Sequence, residues 1–268
     1  MEVAIKYFTI FGGLDLKLDI TKPITQLIEE YILKDYTKLR NEIHYLTGGY
    51  SVEHAILTGI ALGDRKTTTA FKRAYVSFEE GMKCVENLVE RGVIESESSQ
   101  FFIVGKRNES KIAKKLFFPI PFLRFWFAFV SPIYKGIKEG DFKEFHTKFE
   151  NKVEEFSDFI FEELSLVFLQ NYMAEDKIKQ IGKYWDEKIV LDLVALTSQN
   201  KILVGNCKYT NNKVKKSELT KMIQDCETAG IKPDVFMIFS KSGYTSELKS
   251  MKSDSLRLFT VKHLKLLV

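Results

Sequence analysis

Apolar side chains recur at helical spacing between residues 145 and 173. Phe156, Phe159, Ile160, Leu164 and Val167 fall on one face and acids on the other, which predicts one long helix. Runs rich in Val, Ile, Leu and aromatic residues follow at 178–185, 189–197 and 201–209 and read as strands. Residues 217–229 return to helical spacing, with Ser217 placed to cap the start and Gly230 to end the helix. The continuous apolar run DVFMIFS at 234–240 predicts a strand covered on both faces. A short helix at 246–252 and a last strand at 256–261 complete the expected order, αβββαβ with additions.

The other half of the chain reads as helical. Residues 24–33 and 36–46 are amphipathic, and 51–61, 67–76 and 77–91 form a helix trio that ends at Gly92. Residues 93–97 and 100–104 then read as a two-stranded wing. The predicted fold class is therefore mixed α/β (α+β): a helical, winged-helix-like N-terminal half and a C-terminal sheet domain. The expected divisions are a helical lead-in at 1–48, a winged helix-turn-helix-like part at 49–115, an aromatic-rich connection at 116–144 and the sheet domain at 145–268. The most apolar stretch, 116–133, is broken by Pro119, Pro121 and Arg124. It reads as core and not as a membrane span.

The strand pattern is interrupted where chemistry is expected. Asp192 stands inside one apolar strand, and the next ends in Asn206-Cys207-Lys208. An acid, an amide and a lysine in such runs need partners or solvent. Ser198-Gln199-Asn200 fits a three-residue hairpin loop with Asn200 at positive φ. Pairing symmetric about Gln199 sets Asp192 opposite Asn206. Side chains alternate with period two, so Asn206 and Lys208 are expected on the face of Asp192, and Cys207 on the other. A carboxylate and a neighbouring oxygen suit Mg²⁺ or Mn²⁺, and a nearby lysine can steady a phosphate oxygen. Phosphodiester hydrolysis is the chemistry this cluster points to.

Asp192 with Asn206-Cys207-Lys208 resembles the D…(E/D)-x-K core of the PD-(D/E)XK nuclease superfamily. A closer resemblance is to the DUF234 domain, found at the C-terminus of many prokaryotic AAA-type ATPases. It is carried, in order, by Arg124-Phe125-Trp126-Phe127, Phe161-Glu162-Glu163-Leu164, Ile181-Gly182 with Trp185, Asp192, Gly205-x-Cys207-Lys208 and Phe239-Ser240-Lys241-Ser242-Gly243-Tyr244. The resemblance runs from about Phe117 to the C-terminus. It implies a restriction-endonuclease-like αβββαβ domain and a Mg²⁺- or Mn²⁺-dependent DNase site. The implied roles are Asp192 as principal ligand, Asn206 as a weakened ligand, Lys208 as the catalytic lysine and Glu162 as a supporting acid. The family usually has glutamate at the position of Asn206. Three readings stand side by side: a dead site, a working site with a neutral amide ligand, or an acid supplied by the next helix, Glu218 before Asp225. The alternative function is an inactive nuclease-like protein that binds DNA or an ATPase.

Charge and composition narrow the partners. The formal net charge of +4 permits contact with nucleic acid without requiring it. Lys213, Lys215 and Lys216 lie beside the proposed site, and Lys106, Arg107 and Lys111 follow the expected wing; these are the candidate phosphate contacts. The helix at 77–91 is a poor DNA reader, because Glu79, Glu80, Glu86 and Glu90 would repel phosphates. Three cysteines without CxxC spacing predict reduced thiols and a cytoplasmic location. The first residues lack a signal-peptide layout. No G-x-x-x-x-G-K-[ST] occurs, so ATP hydrolysis is not expected. FTIFGG at 8–13 is similar to the segment that follows the ATPase core in the family. The expected partners are DNA and a separate AAA-type ATPase, with self-association left open and no membrane.

Overall fold

The computed structural model describes residues 1–49, 52–104, 112–173 and 176–267. They form two compact units, one of residues 6–98 and 113–153, the other of residues 1–5, 99–112 and 154–268.

The first unit is helical. It contains most of α1 (Glu2–Phe11), then α2 (Ile24–Ile28), which continues as a π-helical turn over Glu29–Leu33, and α3 (Tyr36–Thr47). The expected trio follows as α4 (Val52–Ala61), α5 (Thr67–Ala74) and α6 (Phe78–Glu90). Ser77 caps α6 by accepting from the Glu80 N–H. β1 (Glu95–Glu97) pairs antiparallel with β2 (Lys115–Phe117), and an isolated bridge joins Lys66 to Lys115. The wing expectation is corrected here, because the second strand comes from 115–117 and not from 100–104. Residues 99–112 instead belong to the other unit.

The aromatic connection begins with α7 (Pro121–Phe125), passes through a π-helical turn at Trp126–Val130 and a 3₁₀ turn at Ser131–Ile133, and ends with α8 (Tyr134–Glu139). Phe125, Trp126 and Phe127 are buried. Trp126 stacks on Tyr36, while Phe125 packs among Phe129, Phe145 and Phe149. Arg124-Phe125-Trp126-Phe127 is thus largely a core motif. No described helix is long and apolar enough to cross a membrane.

The expected helix at 145–173 is two, α9 (Lys143–Phe156) and α10 (Asp158–Tyr172). They meet at the buried Ser157, close to the boundary between the units. Each helix serves a different core, which uninterrupted helical spacing in the sequence does not reveal.

The second unit is built on a five-stranded sheet in chain order: β3 (Ile178–Trp185), β4 (Val190–Thr197), β5 (Ile202–Lys208), β6 (Val235–Ser240) and β7 (Leu256–Thr260). β3, β4 and β5 run antiparallel; β5, β6 and β7 run parallel. α11 (Lys216–Ala229) makes the crossover from β5 to β6, and α12 (Ser246–Ser250) the crossover from β6 to β7. Leu219, Met222 and Cys226 of α11 share a core with Tyr184, Leu191, Val194, Val204 and Ile238 of the sheet. On the other face Phe168 of α10 meets Phe239 and Phe259. The order α10-β3-β4-β5-α11-β6 is the predicted αβββαβ. The start of α11 differs from expectation: Lys215 occupies the capping position without a side-chain bond, and Ser217 lies inside the helix. Gly230 ends it at φ +72°, as expected for a left-handed stop.

Candidate functional site

The site lies where β4 and β5 part. Asn200 takes φ +61° in the hairpin loop. From that loop the pairs Leu196–Ile202, Ala195–Leu203, Val194–Val204 and Leu193–Gly205 form a ladder symmetric about Gln199. The ladder ends one residue short of the expected Asp192–Asn206 pair. Side chains take over the hydrogen bonding at this fork. The Cys207 N–H donates to Asp192 Oδ2 at 2.9 Å, and the Asp192 N–H donates to Asn206 Oδ1 at 3.4 Å. One reason for an acid and an amide at this depth is therefore structural: each accepts from a backbone group that the ladder leaves unpaired.

Gly205 keeps β5 close to β6 just before the fork. A Cβ there would stand 2.9 Å from the Met237 carbonyl oxygen. Past it, the side chains alternate across the sheet. The Cys207 thiol bonds to Ser165 of α10, whereas Lys208 Nζ pairs with Glu218 Oε2 of α11 at 3.1 Å. The sequence-predicted supporting acid, Glu162, comes from α10. It brings its charge close enough to Asp192 to disturb that group's titration.

Lys183 of β3 was not among the sequence-predicted residues. It is only 2% exposed, and its ammonium lies 3.0 Å from Glu162 Oε2 and 2.7 Å from Glu163 Oε1. It also lies 5.1 Å from the centre of the Phe159 ring. A signal was present in the sequence: period two places Lys183 with Ile181 and Trp185, a face where a lone lysine needs a partner. Ser99, Gln100 and Phe101 cover this edge strand. The Gln100 N–H donates to the Lys183 carbonyl, Ser99 Oγ accepts from the Trp185 N–H, and Phe101 packs on Tyr184. Gly182 leaves room for the covering segment, since a Cβ there would meet Gln100 Cγ at 2.6 Å.

The electrostatics follow from this crowding. Burial, followed by the Glu162 charge, pushes the Asp192 carboxyl up to about 7, while the Cys207 N–H, Lys183 and Lys208 act in the opposite direction. Burial opposes the charge on Lys208, but its bond to Glu218 and the nearby Asp192 and Asp158 carboxylates outweigh that and raise its pKa. The Cys207 thiol is pushed well above its ordinary value by burial and by the Asp192 and Glu162 carboxylates. It is a buried, packed thiol whose raised pKa disfavours the thiolate.

Lys213, Lys215 and Lys216 are exposed on the loop after β5 and at the start of α11. Lys216 pairs with Glu247. The Phe239–Tyr244 motif holds this loop in place: Val214 exchanges backbone bonds with Gly243 and Thr245, and Ser242 Oγ donates to the Thr210 carbonyl. Asp225 is paired with Lys221 at 2.9 Å. Lys106, Arg107 and Lys111 lie outside the described residues.

These donors do not fit a resident divalent ion. The Asn206 amide oxygen faces a backbone N–H, Glu162 is bound to Lys183 and Glu218 to Lys208. Among the described residues no three His, Cys, Asp or Glu side chains are grouped to hold a metal. What the arrangement offers is one half-buried carboxylate beside two lysines at the end of a sheet, followed by a loop of exposed lysines.

Residues 126–221 match the family model DUF234, described as archaeal and bacterial proteins of unknown function. The match runs from Trp126 through Glu162, Lys183, Asp192, Asn206 and Lys208 to Glu218 and the early turns of α11. Among curated proteins and solved structures nothing matches the chain.

Proposed function

We propose that this is a DNA-associated protein whose second unit is a nuclease-like module with an incomplete metal site, binding the phosphate backbone without efficient cleavage. The observation that carries this reading is the pairing of each remaining acid around Asp192. Glu162 is held by Lys183 and Glu218 by Lys208, and Asn206 contributes no charge. The strand order and the lysine at the end of β5 support the nuclease-like assignment. Lys208, Lys213, Lys215 and Lys216 provide the positive charge a phosphate backbone needs. In the first unit, the helix trio with its two-stranded ladder and the Lys66–Lys115 bridge supports a winged-helix reading. The basic side chains there are partly committed: Arg65 pairs with Glu97, Arg73 with Asp64 and Lys83 with Glu79. Phosphate contact is therefore assigned to the second unit. A separate AAA-type ATPase is the protein partner that goes with this reading.

A second reading, a Mg²⁺- or Mn²⁺-dependent DNase, is favoured by the crowding of Asp192 against Glu162, which a divalent cation could relieve. One experiment separates the two. The protein is incubated with Mg²⁺ or Mn²⁺ and supercoiled, linear, single-stranded or branched DNA, beside Asp192→Ala, Lys208→Ala and Asn206→Glu. Salt-dependent binding without cleavage by the wild type is expected. Cleavage by the wild type that disappears with Asp192→Ala and Lys208→Ala would establish the DNase. Absence of salt-dependent binding would leave a protein-binding adaptor.

A further inference from the structure

A buried ammonium is costly unless carboxylates or hydrogen bonds compensate it. Lys183 meets that condition: it is almost fully enclosed, with two carboxylates and an aromatic ring around its ammonium. It approaches from β3 while both acids approach from α10, so its reach is set by the packing of a helix on an edge strand. One of those acids, Glu162, is also a charged neighbour of Asp192. The ammonium is therefore bonded to an acid whose charge reaches Asp192, and its own charge reaches Asp192 as well.

We propose that Lys183 is a tethered counter-cation that takes the electrostatic place of a divalent metal ion at this site. The inference rests on the nuclease-like reading of the second unit and deepens it. A cation held covalently by the chain needs no uptake from solution. It also competes with an incoming metal for Glu162, because one carboxylate oxygen is bound to the ammonium at 3.0 Å and a metal on the other would meet the repulsion of that charge. Asn206 is consistent with this arrangement. An ammonium carries half the charge of Mg²⁺ or Mn²⁺, and a neutral amide adds no negative charge for it to balance.

The test is Mn²⁺ uptake by the full chain, followed by electron paramagnetic resonance of the free ion. It compares wild type, Lys183→Met and the double variant Lys183→Met with Glu163→Gln, each also carrying Asp192→Asn. The double variant removes one charge of each sign and so keeps the local balance if Lys183→Met alone does not fold. Lys183→Met, which removes a unit positive charge next to the carboxylates, should tighten Mn²⁺ binding by at least about tenfold, and the double variant, which frees Glu162 at unchanged net charge, should tighten it by less. That gain should vanish with Asp192→Asn. Wild-type protein that binds Mn²⁺ as tightly as the variants, or a gain that survives Asp192→Asn, would overturn the proposal. DNA binding by the wild type in EDTA is followed in parallel by fluorescence anisotropy. Its absence sinks the nucleic-acid reading, whereas the Mn²⁺ comparison alone decides the role of Lys183.

Discussion

Asp192 shows how the environment of one side chain becomes a property of the fold. Its carboxyl is raised from 3.8 to about 7 by burial and by Glu162. Between those values the folded protein retains a proton that the unfolded chain has released. Stability contributed by the protonated form is complete below about pH 4 and is lost as pH rises through about 7. Asp192→Asn keeps an acceptor for the Cys207 N–H and removes the titration. The variant should gain stability relative to wild type as pH rises from 5 to 8, read from urea unfolding at both values; a constant difference would show that Asp192 is not perturbed. Lys183 has the opposite dependence on its neighbours. Lys183→Ala leaves Glu162 and Glu163 facing each other without their cation, and a loss of about 3–5 kcal/mol is expected. Glu163→Gln, on the more exposed partner, should cost much less. Asp192 was legible in the sequence because a lone acid in an apolar strand is conspicuous. Lys183 was not singled out, because its partners lie on another element and only the packed structure brings them together.

The β4–β5 hairpin was the most predictable element, and its turn makes that testable. Asn200 adopts a left-handed conformation that β-branched residues avoid. Asn200→Val should destabilise the protein by about 1–2 kcal/mol, whereas Asn200→Gly should be nearly neutral, both read as shifts in the urea midpoint. Gly205→Ala tests the close approach of β5 and β6. With a backbone oxygen at 2.9 Å from the new Cβ, the strands must separate, and a loss of about 1–3 kcal/mol is expected. The hairpin register, the element order and the glycine stop of α11 are local or near-local properties, so periodicity and turn chemistry predicted them. The break at Ser157 and the partner of β1 are not local. α9 and α10 share one continuous amphipathic spacing but serve different cores. β1 pairs with residues 115–117 because residues 99–101 lie on the edge of β3 instead.

The two units divide the proposed labour, and salt dependence of DNA binding is the measurement that reads it. Each lysine that meets a phosphate contributes about 0.9 to the slope of log K against log salt. Replacing Lys213, Lys215 and Lys216 together by alanine should therefore lower the slope by up to about 3. An unchanged slope would move the contact surface away from the loop after β5. Neutralising Arg65 and Arg73 should leave the slope nearly unchanged, because both side chains are already engaged with acids in the first unit.

Apolar spacing and turn residues were enough to predict a mixed α/β protein, the αβββαβ order and the hairpin register, and to single out Asp192, Asn206 and Lys208. All of these follow from contacts within a few residues or from period-two and helical repetition. Tertiary structure alone decided how the cluster is wired. The ladder ends before Asp192 meets Asn206, so their side chains satisfy backbone groups. Glu218 and Glu162 each find a lysine, and one of those lysines comes from a strand outside the motif. Burial, charge pairing and the distance between carboxylates depend on which elements pack together, and that information is held in the whole set of side-chain contacts, not in any single stretch of the chain.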